Sequence, residues 1–249
     1  MQRTKAIIFS FMWAIIVIAF PVASGVIVVV SKSDAISSRL IQTVFMCMSM
    51  FIPFIYCKVK NISKKEILLT GIDKNGVKTS LFYLPLIVVL LPMIVNGVDI
   101  SDIGYTLATL LFTVSVGIAE ELYFRGIILR LLGKNFSTLP VVFISLLIFG
   151  IGHASGAFVE SNLIMVLLTI LNALLFGWIA AETALITKNI IPLMIFHCLF
   201  DFFTYQMLAS GKTIIIIYAV RGTLMTIVAV YLMIKLKNQS RTTMLKFSY

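Results

Sequence analysis

Six charged or ionisable side chains interrupt apolar stretches of this sequence, and their types and spacing are suited to hydrolytic chemistry. They are Glu120, Glu121, Arg125, His153, His197 and Asp201. A charged side chain within a bilayer costs about 2.5–3.5 kcal/mol on insertion scales, so such residues usually have a function. The sequence therefore predicts a site inside the membrane that is built from carboxylates and imidazoles.

On an α-helix, the first three of these residues divide into an ion pair and a remaining acid. Glu121 and Arg125 are four residues apart, lie on one face and can largely cancel each other's charge. Glu120 is rotated by about 100° from Glu121. We therefore expect Glu120 to be the carboxylate that faces a cavity. The alternative is a helix end at the membrane surface with an ordinary ion pair.

The remaining residues lie at depths that are compatible with one cavity in the middle of the membrane. His197 and Asp201 are four residues apart and share one helix face, as do Phe149 and His153. At a rise of about 1.5 Å per residue, Glu120 and His197 lie about 14–15 Å from the inner ends of their helices. His153 and Asp201 lie at about 20–21 Å. The alternative for each histidine is a hydrogen-bonded core residue.

Such a set suits the hydrolysis of a peptide bond. Glu120 can take a proton from water as general base, His153 can hold that water, and His197 can stabilise the oxyanion. Two imidazoles and two carboxylates are also a plausible Zn²⁺ set, in which the metal would acidify the water. The candidate metal ligands are Glu120, His153, His197 and Asp201. An adjacent His-Glu-x-x-His motif is missing, and we expect no organic cofactor.

The composition of the 249-residue chain indicates an all-α, polytopic integral membrane protein. Hydrophobic residues make up 60% of the sequence and charged residues only 12%. A soluble domain of this size needs a more polar surface. The net charge of +10 does not indicate nucleic acid, because the basic residues lie in short loops between apolar runs.

Eight apolar runs are predicted to cross the membrane, each near the length of about 20 residues that a bilayer requires. Their predicted bounds are Ile7–Val30, Leu40–Cys57, Thr79–Val95, Tyr105–Arg130, Leu139–His153, Leu163–Ala181, Ile190–Leu208 and Thr213–Leu236. The basic segment Lys58–Lys78 is predicted to contain a short interfacial helix around Ile67–Leu69, ended by Gly71.

The distribution of lysine and arginine predicts a multi-pass protein of the cell membrane with both termini in the cytoplasm. We divide the chain into N-terminal transmembrane helices with the basic cytoplasmic loop (1–104), a catalytic core (105–209), and a last transmembrane helix with a cytoplasmic tail (210–249). Glu182 is expected to be a solvated charge at a helix end. Arg221 is expected to reach the outer surface, with pairing to Asp201 as the alternative.

The charged residues resemble three motifs of the CPBP family, the CAAX-protease and bacteriocin-processing (Abi) intramembrane proteases. The family's motifs are Glu-Glu-x-x-x-Arg, Phe-x-x-x-His and His-x-x-x-Asn or Asp. They are matched here by Glu120, Glu121, Arg125, Phe149, His153, His197 and Asp201. All three occur in the family's order between Tyr105 and Leu208, so the resemblance implies a CAAX-protease-like core at 105–209.

The resemblance also implies roles for the matched residues. Glu120 and His153 would activate the water, His197 and residue 201 would form the oxyanion site, and Arg125 would hold the glutamate pair in place. The prenyl-protein branch of the family has Asn at the last position, and an ionised Asp cannot donate a hydrogen bond to an oxyanion. Three alternatives for Asp201 stay open: it orients His197, binds a metal, or acts in its protonated form.

The leading hypothesis is an intramembrane endopeptidase that cleaves a peptide or membrane-protein substrate, either by a glutamate-dependent or by a metal-dependent mechanism. The resemblance implies a role in bacteriocin or peptide maturation, or in self-immunity. The expected partners are the substrate and the lipid bilayer, with no nucleic acid. One alternative is a non-catalytic bacteriocin immunity protein. Another is a small proton-coupled transporter, against which the lack of a visible two-fold repeat counts.

Overall fold

The chain forms a bundle of helices in a computed structural model, which describes residues 3–71, 81–158 and 162–242, without the side chains of 156–158 and 239–242. The helices are α1 (Arg3–Ser31), α2 (Ala35–Val59), α3 (Leu84–Val95), α4 (Ile103–Glu121), α5 (Leu129–Gly133), α6 (Thr138–Gly152), α7 (Leu163–Thr187), α8 (Ile191–Gln206) and α9 (Lys212–Thr242). A π-helical segment, Leu122–Ile128, joins α4 to α5. The 3₁₀ turns Leu81–Tyr83 and His153–Phe158 precede α3 and follow α6.

The all-α, polytopic membrane fold expected from the sequence is confirmed. In the described part of the chain, six helical stretches are long and apolar enough to cross a membrane. Large apolar side chains cover their outer surfaces; Val29 is 67% exposed and Phe51 is 65% exposed. Because such surface is unfavourable in water, it is suited to contact with lipid.

Two of the eight predicted spans are shorter than predicted. Helix α3 has 12 residues and α8 has 16. At about 1.5 Å per residue they measure about 18 and 24 Å, less than the hydrocarbon core of about 30 Å. Helix α8 ends at Gln206 because the chain then pairs with the α3–α4 loop, where Asp99 N–H donates to Gln206 O at 2.7 Å. Thr79, the predicted start of the third span, lies outside the described residues.

The prediction that Glu182 is a solvated helix-end charge is wrong. Helix α7 continues past the predicted end at Ala181 to Thr187, and Lys188, with a left-handed φ of 55°, ends it. This extra length places Glu182 among packed helices, where its residue is 0% exposed. Its Oε1 accepts a hydrogen bond from Trp178 Nε1 at 2.8 Å.

The predicted interfacial helix is also wrong. Residues 64–68 form consecutive turns, and Leu68 has a left-handed φ of 58° that no helix contains. Ile67 and Leu68 are buried. Leu68 O accepts a hydrogen bond from Ile190 N–H at 2.9 Å, so this segment packs against the start of α8. The rest of the basic segment, with Ile72, Lys74 and Lys78, lies outside the described residues.

Glu66 ties the same segment to α5 in a pH-dependent way. Arg130 Nη2 donates to Glu66 Oε1 at 2.6 Å. This bond and the one from Ser63 N–H lower the pKa of Glu66 from its ordinary value of 4.5. A lowered pKa means that the stabilisation is complete above about pH 4.5 and is lost as the pH falls through the folded-state pKa.

We therefore expect acid to lower the thermal unfolding midpoint of the wild type more than that of Glu66→Gln. Glutamine at this position has no carboxylate to protonate, so this part of the pH dependence disappears. Midpoints in detergent between about pH 6 and pH 3 measure the difference. Equal acid losses in the two proteins would contradict the prediction.

Candidate active site

The Glu-Glu-x-x-x-Arg motif lies where the long helix changes from α to π geometry. Glu121 is the last residue of α4, and Arg125 lies in the π segment, after which Leu129 N–H bonds to Phe124 O. Single-turn π segments inside α-helices are frequent at functional sites. Arg125 Nη1 nevertheless donates to Glu121 Oε1 at 3.0 Å, as the spacing predicts. Both residues are 0% exposed.

Helices α4 and α8 approach each other closely because Gly117 has no side chain. A Cβ atom at position 117 would lie 2.8 Å from Met194 O and 3.0 Å from Cys198 N, both on α8. Such distances are shorter than van der Waals contact with backbone atoms that cannot rotate away. This backbone contact brings the end of α4 next to His197.

We expect Gly117→Ala to separate the two helices and to lower both stability and any activity of the site. Overpacking of this kind costs about 1–3 kcal/mol. Gly25→Ala on α1 is the matched control, since a Cβ there meets nothing within 4 Å and alanine favours a helix over glycine. Thermal unfolding of both variants tests this, and equal midpoints would contradict the assigned role of Gly117.

His197 is oriented by a short contact with Glu121, which the sequence did not reveal. His197 Nδ1 lies 2.8 Å from Glu121 Oε1, across 76 positions of the chain. Because an ionised carboxylate only accepts hydrogen bonds, Nδ1 carries the hydrogen. The other nitrogen, Nε2, lies 3.9 Å from Glu120 Oε2 and 3.6 Å from Asp201 Oδ2. Two carboxylates thus flank the nitrogen that is not held by Glu121.

The two adjacent glutamates differ in how far their side chains are buried. The side chain of Glu121 is 0% exposed, whereas those of Glu120 and Asp201 are 17% and 23% exposed. Glu120 Oε2 has no hydrogen-bond partner among the described residues. Glu121 is therefore an internal structural anion, whereas the Glu120 side chain is partly exposed although its Oε2 atom is buried.

His153 lies beside this group without touching its carboxylates. It is the first residue of the 3₁₀ turn after α6, and its Nδ1 donates to Phe149 O at 3.0 Å. That bond leaves Nε2 as an acceptor. In the described part of the chain, no carboxylate lies within 4.0 Å of His153. The Phe149 ring centroid lies 4.7 Å from that of His153 and 6.1 Å from that of His197.

The expected metal ligands are therefore not arranged as a ligand set. Among the described residues, no three His, Cys, Asp or Glu side chains are grouped so that they could hold a metal ion. Glu120, His197 and Asp201 meet around one imidazole nitrogen, and His153 stands apart. Metal binding at Glu120, His153, His197 and Asp201 stays a prediction, and the chemistry below uses the side chains alone.

Phe149 and Phe176 form a wall of the site, and only Phe149 belongs to a sequence motif. The Arg125 guanidinium carbon lies 4.4 Å from the ring centroid of Phe149 and 5.6 Å from that of Phe176. Phe176 also lies 4.5 Å from the His197 ring. Cations over aromatic faces are attracted to them, and the rings exclude water from the ion pair. Phe149 was visible as part of a motif, but nothing distinguishes Phe176 from the other phenylalanines.

Comparison with known proteins agrees with the residues that form the site. Residues 102–203 match the family model described as Type II CAAX prenyl endopeptidase Rce1-like. The match confirms the CAAX-protease resemblance over this range, and it supports an intramembrane protease in a multi-pass membrane protein. No curated protein and no solved structure matches the chain.

Proposed function

We propose that this chain, whose residues 102–203 form a CAAX-protease-like domain, is an intramembrane endopeptidase with Glu120 as general base. The observation that carries the proposal is the 2.8 Å contact between Glu121 and His197. It turns the other imidazole nitrogen toward Glu120, the carboxylate that stays partly exposed. The proposed base and the imidazole nitrogen proposed to bind the oxyanion are thus 3.9 Å apart.

Hydrolysis by these side chains needs water and no other reactant. Glu120 takes a proton from a water molecule, and the water oxygen attacks the carbonyl carbon of the scissile amide. The carbonyl electrons move to its oxygen, which becomes an oxyanion. When the C–N bond breaks, the protonated Glu120 gives its proton to the leaving nitrogen. His153, through Nε2, holds the attacking water.

His197 stabilises the oxyanion in this mechanism. With Nδ1–H held by Glu121, a proton on Nε2 can hydrogen-bond the developing charge. Three carboxylates surround the ring, so a cationic imidazole is electrostatically balanced there. Glu121 already orients the ring through Nδ1. Asp201, whose Oδ2 lies 3.6 Å from Nε2, stabilises the cationic form of His197.

The substrate class we propose is a peptide or membrane protein whose cleaved bond reaches into the bilayer. The name of the matching family model points to a prenylated peptide that ends in a CAAX sequence. From the motif resemblance we add a role in bacteriocin or peptide maturation, or in self-immunity, at the cell membrane with both termini in the cytoplasm.

The test is cleavage of an internally quenched, prenylated CAAX peptide by the purified protein in detergent, with products identified by mass spectrometry. We expect cleavage at one bond of the peptide, at the same rate with and without a chelator. Loss of cleavage in chelator, restored by Zn²⁺, would replace the glutamate-only mechanism with the metal-dependent one. An intact peptide, together with full biological activity of Glu120→Gln, would favour the non-catalytic immunity protein.

A further inference from the structure

Arg221 is a second fully buried arginine, and the mechanism above does not use it. It lies on α9, outside the range of the family match, and it is 2% exposed. The expectation that it reaches the outer surface is therefore wrong. A buried arginine is expensive unless its charge is balanced, so its surroundings call for an explanation.

Arg221 bonds to uncharged groups on three other helices, and its guanidinium also lies 4.3 Å from the ring centroid of Tyr218 on its own helix. Its Nε donates to Asn172 Oδ1 on α7 at 2.9 Å. Its Nη1 donates to Thr204 Oγ1 on α8 at 2.9 Å and contacts Met93 Sδ on α3 at 3.2 Å. One side chain thus connects α9 to three other helices. None of these bonds supplies a negative charge.

The contacts of Arg221 with α8 lie on either side of Asp201 in the sequence. The guanidinium lies 4.5 Å from the Phe200 ring centroid and bonds to Thr204. No carboxylate of the described residues is within 4.0 Å of it. Asp201 lies three residues before Thr204 on α8, so its side chain is a neighbour of the one that Arg221 bonds. Asp201 in turn has no arginine within 4.0 Å in the described part of the chain.

Arg125 and Arg221 lie near different acids of the site. Arg125 forms an ion pair with Glu121 at 3.0 Å. Glu120 and Asp201, the latter at a position that holds Asn in the prenyl-protein branch, lie 3.9 and 3.6 Å from His197 Nε2. The single positive charge of a protonated His197 does not balance both. We propose that Arg221 is the counter-cation of Asp201, a positioning residue that holds α8 and balances the extra carboxylate. The inference rests on the proposed function only in giving Asp201 a role in hydrolysis.

A double-mutant cycle on stability tests this without any substrate. We expect Arg221→Gln to lower the thermal unfolding midpoint in detergent by about 5–10 °C, since the partly exposed Asp201 carboxylate then loses a counter-charge. In the Asp201→Asn background, the same change should lower the midpoint by less than about half as much. Where Arg221→Gln gives no folded protein, the double variant should restore the folded yield.

Asn172→Ala is the matched control, because it removes a neutral partner of Arg221 and leaves both charges in place. Its effect should be the same with Asp201 or with asparagine at that position. Arg221→Lys, which keeps the charge, should retain a higher midpoint than Arg221→Gln. Equal effects of Arg221→Gln in the two backgrounds, or no rescue of the folded yield, would overturn the proposal and leave the proposed function standing.

Discussion

Replacing Glu120 with glutamine should lower kcat for peptide cleavage by about 10²–10⁴-fold, the usual contribution of a general base. Glutamine has nearly the same shape but cannot accept the proton of water. The Glu120 side chain is 17% exposed and lies 3.9 Å from His197. Since it takes part in no hydrogen bond that supports the fold through Oε2, the variant should remain folded with nearly unchanged KM.

Glu66→Gln is the control for this experiment, because it makes the same chemical change at a glutamate remote from the site. Glu66 bonds to Arg130 on α5. At neutral pH the control should keep close to full kcat. Unreduced cleavage by Glu120→Gln would refute the assignment of the general base, whatever the behaviour of the control.

Replacing Arg125 with glutamine should cost about 3–5 kcal/mol of stability, because it leaves the Glu121 carboxylate buried without its cation. Both side chains are 0% exposed and their charged atoms are 3.0 Å apart. The variant also lacks the guanidinium that lies 4.4 Å from the Phe149 ring centroid. Thermal or denaturant unfolding in detergent measures the loss. Arg130→Gln, which removes a partly exposed partner of Glu66, should cost much less.

The double variant Glu121→Gln with Arg125→Gln separates stability from function. Removing both charges of a buried pair is often close to neutral, so most of the stability should return. Activity should not return, because His197 Nδ1 loses the carboxylate that lies 2.8 Å away. Recovery of both would show that Glu121 serves only to balance Arg125.

Local spacing was sufficient to predict part of the site. The four-residue separation of Glu121 and Arg125 predicted their ion pair, and the same separation placed His197 and Asp201 on one face. Both inferences need only the geometry of one helix. The composition likewise predicted the membrane fold, since apolar length decides which segments leave water.

Contacts between distant helices could not be predicted in this way. The orientation of His197 by Glu121 depends on the close approach at Gly117, which is decided by packing between α4 and α8. The π segment depends on backbone hydrogen bonds that residue types do not specify. Burial of Glu182 followed from an extra turn of α7, and helix ends are the least predictable part of a sequence pattern.

The most direct test of the central claim is an experimental structure of the Glu120→Gln protein with an uncleaved prenylated CAAX peptide. The measured quantity is the distance from the scissile carbonyl oxygen to His197 Nε2. The account predicts hydrogen-bond contact, about 2.7–3.1 Å, with the side chain at position 120 facing the same carbonyl carbon. A peptide bound with its scissile bond outside the space between positions 120 and 197 would contradict it.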